Sequence, residues 1–423
     1  MAMVQRYYIE TLGCPKNQVD SDKIAGSLMA DGLVATDDAS KADVVVVNTC
    51  AFIEDARKES IDTMLALDDT RKRSSRLIVT GCMAERYGSE LAEALPEADQ
   101  VAGFGVPLQL GRKPIAVTGE IPKFDLLNLP RPKSTSPWAY VKIAEGCDRS
   151  CGFCAIPSFR GPQRSRDVAS ILSEVEQLEV REVVLIAQDL ASYGKDRPDE
   201  LGAGSIVQLV RDVASMADWV RLLYLYPSDL SDELIDAILE TGVPYFDLSL
   251  QHASKEHLRR MKRWGDGPRF LERIERIRTM SPNAAFRSNF IVGYPGETEE
   301  DHDQLMSFVQ NAQLDWCGFF AFSPEEGTHA INLPDRVDEG LMNERLAELR
   351  ELQDNITAER RDLLLGETIE VLVDEPGIAR SFREAPEIDG VVQVPDHLEV
   401  GRFHTVVVEQ VFGPDLIAVE VAQ

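Results

Sequence analysis

The chain has 423 residues, 44% of them hydrophobic, so it can bury a large core divided among two to four domains. Its 44 Lys and Arg against 72 Asp and Glu give a formal net charge of -28. A field of that sign disfavours a dominant nucleic-acid role and attracts basic partners, although general solubility explains it equally well. No run approaches the length of a membrane span, the amino terminus lacks the apolar core of a signal peptide, and 7 cysteines are too sparse for a disulfide framework. These features predict a cytosolic protein with reduced thiols and no membrane segment.

The first 125 residues have the pattern of alternating strands and helices. The strand-like runs are residues 7–12, 43–49 and 76–80, and the helix-like stretches are 21–30 and 54–67. A cysteine follows each run, and we call Cys14, Cys50 and Cys82 the amino-terminal triad. Right-handed crossovers would place all three at the carboxyl edge of one sheet, which predicts an iron-sulfur site with three thiolates. The alternative is that each thiol is simply a small buried apolar side chain.

A second set, Cys147, Cys151 and Cys154, has C-x3-C-x2-C spacing, and we call it the central triad. A four-iron cluster normally takes four thiolates, so three leave one iron open to a ligand that is not protein. An open position distinguishes a reactive metal centre from a structural one. Zinc is disfavoured because such sites usually pair C-x2-C halves or add histidine, and the six histidines of the chain show no metal-ligand spacing. An electron-transfer cluster would need a fourth nearby cysteine, and the next one, Cys317, is expected to be a core thiol.

From residue 137 the pattern restarts with six further strands that alternate with helical stretches. The strand-like runs are residues 140–144, 182–187, 220–225, 245–250, 285–292 and 316–322. This alternation predicts a partial or complete βα barrel. Polar and Gly/Pro-rich groups follow these strands, where the active sites of such barrels lie, although the same residue types also form ordinary turns.

The carboxyl-terminal part is predicted to be a small β-barrel. A helix at residues 338–365 ends before Gly366. The strand-like runs after it are residues 367–373, 391–394, 402–412 and 416–421, which suggests an antiparallel OB-like barrel. Residues 367–423 hold 12 acidic and 3 basic side chains, whereas an OB-like barrel for RNA is expected to be basic. This module is therefore predicted to dock on a basic protein surface.

With these features in place, the chain resembles the methylthiotransferases of the radical S-adenosylmethionine superfamily over essentially its whole length. It is most similar to the RimO branch, which modifies an aspartate of ribosomal protein S-twelve of the small subunit. The matching stretches are LGCPKN at 12–17, AIPSFRG at 155–161, Gln188-Asp189, LQHAS at 250–254, SPEEGT at 323–328 and APEIDG at 385–390. The tRNA-modifying sister branch typically has Asn after that Gln and an Arg-containing segment in place of Glu325 and Glu326. Both differences favour the ribosomal protein as the substrate.

The resemblance implies an α/β chain with three domains. A methylthiotransferase amino-terminal domain with a parallel sheet and an auxiliary cluster would occupy residues 1–125. A partial, TIM-like (βα)6 barrel that binds S-adenosylmethionine would occupy 136–365. A TRAM-like antiparallel β-barrel would occupy 367–423 and dock the substrate.

The resemblance also implies two 4Fe-4S clusters and S-adenosylmethionine as cofactors. The cluster on the central triad would bind S-adenosylmethionine at its open iron and cleave it with one electron to methionine and a 5'-deoxyadenosyl radical. A radical is required because the aspartate β-carbon is neither acidic nor electrophilic, so acid-base chemistry cannot activate it. The cluster on the amino-terminal triad would carry or donate sulfur, and a second S-adenosylmethionine would supply the methyl group.

Other residues are implied to contact the cofactor. Phe153 would shield the cluster from water and tune its potential, with core packing as the alternative. The remaining candidates lie at or near strand ends and are Gln188, Gln251, Arg287, Gly293 and Glu297.

Three functions from different classes stay open on the sequence. The first is the aspartate methylthiotransferase, whose partners would be the basic protein S-twelve, free or on the ribosome, an electron donor and a sulfur source. The second is a tRNA adenosine 2-methylthio methylthiotransferase, which the acidic charge disfavours. The third is a non-catalytic iron-sulfur carrier or redox sensor.

Overall fold

The computed structural model describes residues 4–104, 126–202 and 205–421. The end of the predicted first domain, residues 105–125, therefore lies outside the described residues. The chain divides into two compact units. The first unit comprises the described residues up to Lys133 with Ala144–Arg149 and Cys154–Arg166, and the second comprises Ser134–Ile143, Ser150–Phe153 and the described residues from Asp167 onward.

The secondary structure alternates strands and helices up to residue 362 and is mainly strand after it. The strands are β1 (Arg6–Thr11), β2 (Val34–Ala35), β3 (Val44–Thr49), β4 (Arg76–Gly81), β5 (Gln100–Val101), β6 (Trp138–Lys142), β7 (Ala144–Glu145), β8 (Arg164–Ser165), β9 (Glu182–Ile186), β10 (Trp219–Leu222), β11 (Tyr245–Gln251), β12 (Ala285–Val292), β13 (Trp316–Ala321), β14 (Thr368–Glu375), β15 (Ile378–Arg380), β16 (Val392–Gln393), β17 (Phe403–Phe412) and β18 (Asp415–Glu420). The helices are α1 (Pro15–Ala30), α2 (Glu54–Thr70), α3 (Cys82–Ala94), α4 (Ile156–Arg160), α5 (Val168–Leu178), α6 (Pro198–Leu201), α7 (Ser205–Ala214), α8 (Asp232–Glu240), α9 (Lys255–Arg260), α10 (Gly267–Met280), α11 (Glu299–Ala312) and α12 (Glu339–Asp362).

The first unit is built on a five-stranded parallel sheet with the order β2-β1-β3-β4-β5. Its central strand β3 is buried at every residue. Val45 and Val47 of this strand belong to one core cluster, and Val44 and Val46 belong to another, because successive side chains point to opposite faces. The parallel sheet and its three predicted strands are confirmed. The first helix begins at Pro15, six residues before the predicted stretch, since proline suits the first helical turn.

The second unit contains six parallel strands that lie side by side in chain order. They form two three-stranded sheets, β6-β9-β10 and β11-β12-β13, and one bridge between Leu225 and Leu248 joins the two. Helices connect successive strands, so the predicted partial (βα)6 barrel is confirmed. The carboxyl ends of the strands therefore face the same side, as in other barrels of this kind.

A closed five-stranded barrel with the order β14-β15-β16-β18-β17 forms the end of the second unit. The predicted small β-barrel is confirmed with two differences. The three-residue strand β15 was not predicted, because it follows directly after the turn at Pro376 and Gly377 and is too short to show alternation. The pairing of β16 with β18 is parallel, whereas an antiparallel barrel was predicted.

The last residue of β15 and the connection that follows it anchor this small barrel to the amino-terminal ends of the six parallel strands. We call residues 380–389 the plug segment. The main anchoring hydrogen bonds join Arg380 to Glu182 (2.7 Å), Arg221 to the Phe382 carbonyl (2.8 Å), Tyr140 to the Pro386 carbonyl (2.9 Å), Tyr245 to Asp389 (2.6 Å) and Trp316 to the Arg383 carbonyl (2.8 Å). The plug segment thus lies at the amino-terminal ends of the strands, on the side opposite their carboxyl ends.

None of the helices in the described residues has the length and apolar character that crossing a membrane requires.

Candidate active site

The amino-terminal triad lies at one edge of the sheet in the first unit. Cys14 follows β1 and occupies the N-cap position of α1 without a side-chain capping bond, Cys50 follows β3, and Cys82 is the first residue of α3 after β4. Strands β1, β3 and β4 are neighbours and parallel, so their carboxyl ends meet at the same edge. The strand-helix connections thereby gather three thiols that are 36 and 32 residues apart in sequence.

Two glycines let the backbone adopt the shape that brings these thiols together. Gly13 has φ +98° and precedes Cys14, and a Cβ atom there would lie 2.9 Å from the Cys50 Sγ. Gly81 has φ +92° and precedes Cys82, and a Cβ atom there would lie 2.3 Å from the Asn48 Oδ1. Both positions favour glycine because the backbone is left-handed and the space is already filled.

The electrostatics of the amino-terminal triad fit a metal centre. Burial, followed by the negative charges that Cys82 and Cys14 would carry, raises the pKa of the Cys50 thiol to about 12. Burial also raises the pKa of the Cys82 thiol. Thiolates crowded in this way need a positive partner, and a metal centre binds cysteine only as thiolate. The donor set therefore fits an iron-sulfur cluster with three protein ligands.

A buried arginine completes the surroundings of this triad. The Nη2 of Arg160 donates to the Cys82 Sγ at 3.1 Å and to the Asn17 Oδ1 at 2.7 Å. Its Nη1 donates to the carboxylates of Asp20 at 3.2 Å and Glu145 at 3.0 Å. The Arg160 side chain is only 2% exposed, so these bonds satisfy a charge that lies out of water.

The first unit holds two residues of the central triad, Cys147 and Cys154. The Cys147 N–H donates to the Gly161 carbonyl at 3.1 Å, and the Arg149 N–H donates to the Cys147 Sγ at 3.4 Å. Gly146, with φ +81°, precedes Cys147, and a Cβ atom there would lie 2.1 Å from the Pro162 carbonyl oxygen. The segment before Cys147 is thus a tight turn that only glycine fits.

The second unit holds the third residue, Cys151, whose Sγ accepts a hydrogen bond of 3.1 Å from the Nη1 of Arg263. The Arg263 guanidinium also lies over the Tyr226 ring, 4.3 Å from its centroid. The Gly152 N–H donates to the Met261 carbonyl at 2.7 Å, which fixes the backbone next to Cys151. Phe153 follows and is half-buried in the same unit. Its proposed shielding of a cluster stays a prediction.

Three of the predicted cofactor residues lie at the carboxyl ends of the parallel strands in the second unit. Gln188 follows β9 and is half-buried. Gln251 ends β11 with φ +73° after a register shift in the pairing with β12. Gly293 follows β12 with φ +83°. A left-handed non-glycine residue is uncommon and often marks a functional position, so Gln251 is the most suggestive of the three.

The other two predicted cofactor residues are engaged with protein partners. Arg287 forms ion pairs with Asp247 at 3.0 Å and Asp389 at 3.5 Å. Glu297 is buried, accepts the Gly293 N–H at 2.6 Å and pairs with Arg345 at 2.9 Å. These contacts hold strand and loop in place, and the contact of Arg287 and Glu297 with a cofactor stays a prediction.

Sequence analysis missed a buried histidine pair beside Glu297. The rings of His252 and His257 lie 4.4 Å apart, and the His257 Nε2 is 3.9 Å from Glu297. The three side chains meet the geometric requirement for a metal site, although the histidine spacing in sequence gives no sign of it. The His252 Nδ1 accepts the Ser254 N–H at 3.0 Å, so its Nε2 carries the proton and is not free to ligate a metal. Burial lowers the pKa of both histidines, so the pair is neutral and, together with Glu297, supports the loop after β12.

Three protein-family profiles match the chain. Uncharacterized protein family UPF0004 matches residues 6–103, the radical SAM superfamily matches 141–309 and the TRAM domain matches 365–421. The chain is 43% identical to the ribosomal protein uS12 methylthiotransferase RimO of Moorella thermoacetica, over 96% of this chain and 97% of that protein. It is 39% identical to the protein of the same name from Synechocystis, over 96% of each.

Among solved structures, the radical S-adenosylmethionine methyltransferase TsrM from Kitasatospora setae has a similar fold. The TM-score is 0.51 at 12% sequence identity, and the match covers 89% of this chain and 80% of that one. At this identity the likeness supports the fold alone.

Proposed function

Because the chain belongs to the RimO family of ribosomal protein uS12 methylthiotransferases, we propose that it inserts a methylthio group at the β-carbon of an aspartate in uS12. One observation carries the proposal beyond family membership. The chain has two cysteine triads, one gathered at a sheet edge and one within a single loop, and each supplies one thiolate fewer than a four-iron cluster takes. A reaction that needs both a radical and a sulfur atom calls for two open metal centres.

Two 4Fe-4S clusters and S-adenosylmethionine, when bound, supply the one-electron cleavage that makes a carbon radical, together with the sulfur and the methyl group. The residues of this chain would hold and insulate these groups. The central triad would ligate the radical-generating cluster, and the amino-terminal triad would ligate the auxiliary one. Phe153 would exclude water from the cluster. The residues that would contact S-adenosylmethionine are Gln188, Gln251, Arg287, Gly293 and Glu297, and the ion pairs of Arg287 and Glu297 would also hold strand and loop in place.

We assign three domains to these roles. Residues 1–125 would form the auxiliary-cluster domain, 136–365 the radical barrel and 367–423 the substrate-docking barrel. The acidic side chains of the last domain support docking of a basic protein such as uS12. Eight of them are exposed, namely Glu367, Glu370, Glu375, Glu387, Asp396, Glu399, Glu409 and Glu420. The remaining four are not exposed, and two of these, Glu384 and Asp389, lie in the plug segment.

The proposed reaction also requires partners that supply electrons and sulfur. It would take place in the cytoplasm, where thiols stay reduced and ribosomal proteins are available. Nucleic acid is not expected to be the primary substrate because the chain is so acidic.

Mass spectrometry of uS12 tests the proposal. We expect a methylthio mass shift on one aspartate in cells that contain this protein, and no shift in cells that lack it or carry only C147A. If uS12 is unmodified while a tRNA adenosine gains the methylthio group, the substrate assignment is wrong. If the reduced protein does not cleave S-adenosylmethionine to 5'-deoxyadenosine at all, a non-catalytic carrier replaces the enzyme.

A further inference from the structure

We propose that Arg160 is a positioning residue that holds the Cys82 thiolate and raises the reduction potential of the auxiliary cluster. The inference rests on the proposed function, since it assumes that the amino-terminal triad ligates a cluster. It concerns a residue outside the two triads and outside the predicted cofactor contacts.

The first argument is geometric. The two Nη atoms of Arg160 have different partners. Nη1 donates to the carboxylates of Asp20 and Glu145, whereas Nη2 donates to the Asn17 Oδ1 and the Cys82 Sγ. The guanidinium is planar and its fork is rigid, so anchoring Nη1 between two carboxylates fixes the direction of Nη2. That direction points an N–H at the sulfur of Cys82 at 3.1 Å.

The second argument is the burial of the charge. The side chains of Arg160 and Asp20 are 2% and 1% exposed, and that of Glu145 is 9% exposed. The guanidinium also lies 4.2 Å from the centroid of the Phe104 ring, which keeps water away from one face. Asp20 and Glu145 offset much of the positive charge, so the effect on the sulfur comes mainly from the N–H that Nη2 donates to it, with little screening by water.

The third argument is the effect expected on a metal centre. Reduction potentials of iron-sulfur clusters follow net charge, hydrogen bonds to the sulfurs and solvent exposure. A cation that donates to a ligand sulfur stabilises the reduced, more negative state, so it raises the potential. Arg160 would therefore raise the reduction potential of the auxiliary cluster through its hydrogen bond to Cys82.

The experiment isolates the auxiliary cluster in the full chain. The background variant has C147A, C151A and C154A, so any cluster that remains belongs to the amino-terminal triad. Into this background we introduce R160K, which keeps the charge beside the carboxylates but cannot reach both partners at once. The matched control is R131K. The Arg131 side chain is also buried in the first unit, and its Nη1 pairs with the carboxylate of Asp22 in α1 at 2.9 Å.

Reduction is followed by an anaerobic redox titration with electron paramagnetic resonance. We expect R160K to lower the ratio of reduced to oxidised cluster at a fixed potential about tenfold, which corresponds to a shift of about 59 mV for a one-electron couple. The R131K control should titrate like the background. A second expected sign is faster loss of iron from R160K than from R131K under a chelator, because the Cys82 thiolate is no longer held.

Folding is checked by circular dichroism in each variant. If R160K does not fold, the same titration is made on R160Q/D20N, which leaves the net charge of Arg160, Asp20 and Glu145 unchanged. Equal potentials and equal iron loss in the Arg160 variant and the control overturn the role of Arg160. If the background variant itself assembles no cluster, the assignment of the auxiliary site fails instead, so the two failures are distinguishable.

Discussion

Asp389 of the plug segment should make the stability of the protein depend on pH in a defined window. Its carboxylate is buried, accepts from the Tyr245 hydroxyl at 2.6 Å and from the Ala385 N–H at 2.8 Å, and lies 3.5 Å from Arg287. Burial outweighs these contacts and raises its pKa from 3.8 to about 6. The folded state therefore holds this proton more tightly than the unfolded chain does.

The sign and size of the effect follow from proton linkage. Because the folded pKa lies above the unfolded one, the stabilisation is complete below pH of about 4 and is lost as the pH rises through about 6. A shift of roughly two pKa units corresponds to about 3 kcal/mol. Asn has the same shape without the ionisation, so D389N should become more stable relative to the parent, by up to about 3 kcal/mol, between pH of about 4 and 7.

Denaturant unfolding of metal-free, reduced protein measures this difference. Tryptophan fluorescence is a suitable probe, since the Trp316 Nε1 donates to the Arg383 carbonyl of the plug segment. The control is D396N, which removes an exposed carboxylate from the same small barrel. A difference between D389N and the parent that does not change with pH, or that changes in the opposite direction, would refute the reasoning.

Two further outcomes are expected. R380M should lower the free energy of unfolding, measured by denaturant melts, by about 3–5 kcal/mol, because it leaves the buried carboxylate of Glu182 without one of its partners. The control is R402M, which should have much less effect because its ion pair is exposed. G81A should reduce the iron content of the amino-terminal triad, because the added Cβ clashes in a left-handed backbone just before a ligand. The control is G32A, a left-handed position with open space, and this variant should keep the iron content of the parent. Equal iron loss in both variants would contradict the packing argument.

Much of the fold could be predicted from the sequence because its strands are long and regularly spaced. The buried valines of β3 and the three strand-end cysteines follow a strand-helix period that dictates convergence at one sheet edge. The barrel strands could equally be predicted, since their apolar runs alternate with stretches that have helical periodicity. The start of α1 at Pro15 was missed because a polar first turn shows no periodicity.

The partners of the candidate site could not be predicted because they depend on tertiary contacts between distant residues. Arg160 and Cys82 are 78 residues apart, and Arg263 and Cys151 are 112 residues apart. Arg160 lies in the AIPSFRG stretch that carries the family resemblance, but no local pattern around either arginine indicates its thiol partner. The ion pairs that engage Arg287 likewise appear only when its strand is placed beside Asp247.

The iron and sulfide content of the full chain with C14A, C50A and C82A tests the central claim most directly. We expect the anaerobically purified variant to retain about four irons, against about eight in the parent, because each triad holds its own four-iron cluster. Loss of all iron, or retention of about eight, would contradict the assignment of two separate and independent cysteine sites.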